Sequence, residues 1–91
     1  METRLERELT IKNSHGLHAR TAALLVKATN RFSCEIFLEK DGSTVNAKSI
    51  MGVLMLAAGK GSVLTAYTEG PDAEAAMAAI VALFEAGFNE E

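Results

Sequence analysis

The side chains best suited to chemistry lie close together, in Gly16-Leu17-His18-Ala19-Arg20-Thr21-Ala22. A neutral imidazole is a competent nucleophile near pH 7, because an unperturbed histidine titrates at ~6.5. Arg20 adds a fixed positive charge suited to an oxyanion. If a helix begins near Ala19, His18 falls at its N-cap, beside unpaired backbone N–H groups and the positive end of the helix dipole. That combination fits a histidine that takes up a phosphoryl group and hands it on. The same residues also fit a surface turn followed by a solvated arginine, and their types alone do not separate the two. His15 has no arginine at the matching spacing and reads as a loop residue.

The elements that must position His18 follow from periodicity. Leu5, Leu9 and Ile11 alternate with polar residues, so Leu5 to Asn13 is predicted to be a strand with one buried face, Arg7 being the one violation. A loop over Asn13-Ser14-His15-Gly16 precedes a helix whose inner face is Ala22, Leu25, Val26 and Thr29. Cys34, Ile36 and Leu38 mark a second strand, with Cys34 a buried thiol. Asp41-Gly42 turns the chain into a short third strand, Thr44 to Ala47. Ser49 is a good N-cap for a helix from Ile50 to about Ala58, stopped by Gly59 and Gly61. Ser62 to Thr68 forms a fourth strand. Asp72 caps a last helix facing inward with Ala73, Met77, Ile80, Val81 and Phe84. The order β-α-β-β-α-β-α implies an α+β sandwich, an antiparallel sheet covered on one face by helices.

Composition narrows the function. The chain has 91 residues, 48% of them hydrophobic, which suits one domain over 1–91 and excludes a disordered tail. Nine Lys+Arg against twelve Asp+Glu give −3, so no basic surplus points to nucleic acid or anionic lipid. The longest apolar run, Ile50 to Ala58, falls far short of the ~20 residues a membrane helix needs. Residues Met1 to Glu6 lack an apolar signal core and Cys34 is the single cysteine, so a cytoplasmic address is expected, with no disulfide and no metal site. A domain this small buries only ~60–65% of its unfolded surface and has little room for a catalytic cleft. Glu85, Asn89, Glu90 and Glu91 read as a solvated acidic tail without function.

Gly16-Leu17-His18-Ala19-Arg20 with Ala22, together with Lys48-Ser49-Ile50-Met51-Gly52-Val53, resembles the histidine-containing phosphocarrier family HPr. That family serves the bacterial phosphoenolpyruvate-dependent sugar phosphotransferase system. The resemblance spans essentially the whole chain. It implies an open-faced sandwich, with a four-stranded antiparallel sheet and three helices, acting as a carrier rather than an enzyme and without a cofactor. Enzyme I would place a phosphoryl group on the Nδ1 of His18, and IIA components of sugar permeases would receive it. Arg20 takes the place of the arginine that helps hold the phosphate. Proline usually follows that arginine, whereas this chain has Thr21, whose N–H or hydroxyl could reach the phosphate or face water. Thr21→Pro is expected to keep carrier activity to within about tenfold, because proline is tolerated in a helix's first turn.

The resemblance gives Ser49 a second meaning, as a serine phosphorylated by HPr kinase/phosphorylase. Phosphate there would set about −1.5 to −2 charges beside the docking surface without opposing the helix. The helix after Ser49 is apolar on more sides than burial can use, with Ile50, Met51, Leu54 and Met55 forming a second stripe. Family practice places docking on Ile50, Met51 and Leu54, with Thr21, Leu24 and Lys27 from the first helix, while Met55 suits surface or core. Val53, Leu56 and Ala57 are expected to face the sheet. Arg20, Lys27 and Lys48 should make the working face locally positive. A monomer is expected. Two other readings share these motifs: a nitrogen-type homologue in a regulatory relay, and a module whose phosphorylated Ser49 recruits a transcriptional regulator. The His18–Arg20 pair argues against the second, and no acid–base pair supports a stand-alone enzyme.

Overall fold

A computed structural model describes residues 3–90, and Met1, Glu2 and Glu91 lie outside the described residues. The elements run β1 (Thr3–Thr10), α1 (Ala19–Thr29), β2 (Glu35–Lys40), β3 (Ser43–Asn46), α2 (Ile50–Met55), β4 (Val63–Gly70) and α3 (Ala73–Glu85). This is the predicted order, and every pairing in the sheet is antiparallel, with strand order β1-β4-β2-β3. Leu9, Ile36, Leu38, Leu64 and Ala66 point inward and are buried beneath Ala22 and Leu25 of α1, Val53 of α2, and Met77, Ile80 and Phe84 of α3. The opposite face stays open and carries Glu6, Tyr67 and Phe37 side by side across three strands.

Arg7 is explained by its place on an edge strand. It lines a shallow groove between β1 and α3 with Leu5, Met77, Val81, Glu74 and Glu85, so its charge remains in solvent. The start of α3 differs from the sequence reading. Asp72 stands at the N-cap of α3 but makes no cap hydrogen bond, because its carboxylate accepts from the Ser33 and Cys34 amides at 2.8 and 2.9 Å. The Ser33 amide above all holds the Asp72 carboxyl below its usual range, against the opposing effect of burial. Cys34 is buried as expected, and desolvation with the adjacent Asp72 pushes its thiol up to about 11.

Helix α2 also ends three residues earlier than expected. Ala57, with φ of 50°, turns the chain into the left-handed region before either glycine is reached. The turn leaves Ala57 exposed rather than against the sheet, while Val53 and Leu56 are buried as predicted. It also presents the carbonyl of Ala58 to the loop that carries His18, where Leu17 N–H donates to it at 2.9 Å.

Candidate functional site

His18 is the N-cap of α1, half-buried, in extended backbone with φ −114° and ψ −173°. Its Nδ1 accepts weakly from the Arg20 backbone N–H at 3.3 Å, so the ring turns this nitrogen toward the unpaired amides that open the helix. Thr21 is fully buried beneath the histidine. Its hydroxyl accepts from His18 N–H at 3.0 Å and donates to Gly16 O at 2.9 Å, clasping the loop to the first helical turn. The expectation that the Thr21 hydroxyl reaches phosphate or water, or that its side chain meets a docking partner, is therefore corrected: the side chain is occupied inside the fold. Thr21→Val is expected to lower stability by about 1–3 kcal/mol, because it leaves the His18 N–H without its partner and removes one of the two hydrogen bonds on Gly16 O. Urea denaturation measures this, and an unchanged midpoint would show that the clasp carries no weight.

Gly16 is the second fixed point of the loop. Its φ is +66°, and a Cβ there would lie 2.4 Å from Ala58 O and 2.7 Å from Gly59 Cα. Only glycine allows this contact between the loop and the segment after α2. His15 is exposed, edge-on to His18 with ring centroids 5.9 Å apart, as suits a loop residue.

Reasoning from sequence missed the carboxylate of Glu90, assigned to a solvated tail. Its side chain is only 9% exposed, and Oε2 lies 2.9 Å from His18 Nε2 and accepts from Arg20 Nε and Nη2 at 3.1 and 2.9 Å. Oε1 accepts from Asn13 Nδ2 at 3.0 Å, and the same amide donates to Gly16 O at 2.8 Å. Burial alone would raise the Glu90 carboxyl, but hydrogen bonds from Arg20, Asn13 and His18 hold it below its usual range. Glu90 arrives through a left-handed turn at Gly87, Phe88 and Asn89, whose φ values are 61, 56 and 59°. Phe88 is buried there and packs edge-on against Phe84 at 5.0 Å. The only sequence signal was Phe88, an apolar residue inside a supposed tail.

His15, Arg20, Leu24, Phe88, Asn89 and Glu90 line an open groove of about 530 Å³ beside the histidine. Leu24, Ile50, Met51 and Met55 are 40, 43, 69 and 75% exposed, which settles Met55 as a surface residue. Lys27 is exposed and Leu54 half-buried. Ser49 caps α2 as predicted, its Oγ accepting from Gly52 N–H at 3.1 Å. Lys48 departs from expectation, because its ammonium donates to Phe32 O at 2.7 Å instead of adding charge beside His18. Glu90 also offsets Arg20, so the positive character expected of this face is smaller than the sequence suggested. Among the described residues no group of three or more His, Cys, Asp or Glu is placed to hold a metal, and no helix is long and apolar enough to cross a membrane.

An open-faced sandwich with a half-buried histidine at the start of its first helix defines a small histidine carrier domain rather than an enzyme with a cleft. Residues 5–86 match the family model described as the PTS HPr component phosphorylation site, and the chain belongs to the HPr family of phosphocarriers. It is 53% identical over 81 residues to the phosphocarrier protein HPr of Treponema pallidum, covering 89% of this chain and 92% of that one. It is also 53% identical over 81 residues to the HPr-like protein Crh of Halalkalibacterium halodurans, covering 89% and 96%. The crystal structure of HPr from Thermoanaerobacter tengcongensis superposes with a TM-score of 0.93 at 48% identity, covering 96% of this chain and 98% of that one. The chain is thus a phosphotransferase-system phosphocarrier with no catalytic turnover of its own.

Proposed function

We propose that this chain accepts a phosphoryl group from phospho-enzyme I on His18 and passes it to IIA components of sugar permeases in the cytoplasm. The observation that carries the reading is the disposition of the two ring nitrogens. Nε2 is engaged by a carboxylate, while Nδ1 faces the backbone amides that open the helix, with the Arg20 N–H at a long 3.3 Å. Nδ1 attacks phosphorus, the bond from phosphorus to the donor breaks, and its electron pair stays with the donor. The new oxyanion then lies against the amides of the first turn, which favour negative charge there. Arg20 is 73% exposed and long enough to turn from Glu90 to the phosphate. Most of the remaining rate comes from positioning by the partner.

Docking falls to the apolar residues around this point, Leu24, Ile50, Met51 and Leu54, with Lys27 at the rim. Flexible methionine suits a surface that meets donor and acceptor in turn. Regulation by an HPr kinase/phosphorylase at Ser49 belongs to the same reading; it is supported by the position of Ser49 at a helix start, where phosphate on its Oγ would add negative charge to the docking face. A transcriptional regulator reading that phosphoserine is the second use of the surface.

Incubation with phosphoenolpyruvate, Mg²⁺ and enzyme I tests the reading. An acid-labile phosphate on the chain, discharged by a IIA protein, is the expected result. An acid-stable, ATP-dependent adduct on Ser49 alone would overturn it in favour of a regulatory module.

A further inference from the structure

The carboxylate that occupies the histidine has a role in the transfer itself. Glutamate is almost never buried unless paired, yet this one is nine-tenths covered and bonded through both oxygens. Its orientation is set from two sides. Asn13, fully buried, holds Oε1 and ties it to Gly16 of the histidine loop, while Oε2 faces the imidazole and the guanidinium. The turn delivering it holds Phe88 and Asn89, neither a glycine, in left-handed backbone. Such residues are disfavoured unless the surroundings hold them, and burial of Phe88 supplies that support.

A carboxylate at this distance accepts a hydrogen bond from Nε2–H, so it selects the tautomer in which Nε2 holds the proton and Nδ1 carries the lone pair. It also acts during the step. When Nδ1 bonds to phosphorus and Nε2 keeps its proton, the ring acquires a positive charge. A carboxylate beside Nε2–H stabilises that charge, as the orienting carboxylate of a hydrolase triad does for its imidazolium. Arg20 is free to move to the new phosphate without leaving Glu90 empty, because Nε2–H and the Asn13 amide remain on the carboxylate.

We propose that Glu90 is a positioning residue for His18, fixing its reactive tautomer and balancing the charge on the ring during phosphoryl transfer. The proposal rests on His18 being the acceptor, and its first measurement needs no transfer at all. In wild type, ¹⁵N chemical shifts of His18 at neutral pH should show the Nε2–H form dominant. Glu90→Ala should raise the Nδ1–H fraction several-fold and lower kcat for phosphorylation by enzyme I about tenfold, with KM within about twofold. Glu90→Gln, which keeps a hydrogen-bond acceptor without the charge, should retain the tautomer but show most of the loss in kcat. Preserved Phe84 and Phe88 ring shifts identify folded protein, and the Gln variant decides if the Ala variant is not folded. An unchanged tautomer in folded Glu90→Ala overturns the proposal, as does full kcat in Glu90→Gln. A wild-type chain that takes no phosphate from enzyme I would refute the carrier reading instead, leaving the tautomer measurement to decide the role of Glu90.

Discussion

His18→Ala is expected to reduce acid-labile phosphorylation by enzyme I by more than about a thousandfold, the scale of removing an essential nucleophile. No neighbour can substitute. His15 lines the groove beside His18, their ring centroids 5.9 Å apart, but it opens no helix and has no amide poised at its ring. His15→Ala should accordingly transfer phosphate within about threefold of wild type, since it removes only an exposed loop ring. Radiolabelled phosphoenolpyruvate with acid and alkaline washes separates the two variants on one gel. Substantial acid-labile label on His18→Ala would refute the assignment of the acceptor, and loss of label on His15→Ala would move the acceptor up the loop. The overall fold should survive both changes, because neither imidazole supports the core.

The second large effect is expected at a residue with no side chain. Gly16→Ala should destabilise the fold by roughly 2–5 kcal/mol, combining left-handed backbone with an unyielding backbone clash. The atoms it would strike, Ala58 O and Gly59 Cα, belong to main chain, so no rotamer change can relieve the contact. Relief requires the loop to part from the segment after α2, which breaks the bond from Leu17 N–H to Ala58 O and moves His18. Thermal or urea unfolding measures the first consequence, and the rate of phosphorylation in the remaining folded protein measures the second. A variant as stable and as active as wild type would mean that the loop has a second resting place. Gly42 supplies the control: its φ is also positive, but an added Cβ meets nothing within 4 Å, so only the backbone cost remains.

Much of this was legible in the sequence because it rests on local rules. Alternation in Cys34–Glu39, the Asp41-Gly42 turn and the Ser49 cap each depend on a few neighbouring residues, and each holds to within a residue or two. His18 and Arg20 were legible for the same reason, since a helix start is a local event. What escaped depends on partners far along the chain. Thr21 looks like any first-turn residue until Gly16 O is seen to lie above it. Asp72 carries the signature of a cap, but two amides entering β2 compete for its carboxylate and win. Glu90 looked solvated because nothing near it in sequence could pair with it, whereas its three partners lie 70 to 77 positions away.

The strand order has a kinetic consequence. β1 lies at the sheet edge and pairs only with β4, so the chain preceding the histidine loop has no strand partner until residues 63–70 are in place. Non-local pairings of this kind form late, after loop-closure entropy has been overcome, whereas α1 can nucleate from its own residues. The loop between them is joined to the distant parts of the chain through Ile11, Leu17, Asn13 and His18, which bond to Gly61 and Ser62, to Ala58 and to Glu90. Refolding should therefore make the helix before the site. Pulse-labelled hydrogen exchange should find the Leu17 amide protected in the slowest phase, with β1, after the amides of α1. Protection of Leu17 together with α1 would exclude that order. A chain that folds in this sequence carries its nucleophile from the outset but aims it only once the most distant contacts have closed.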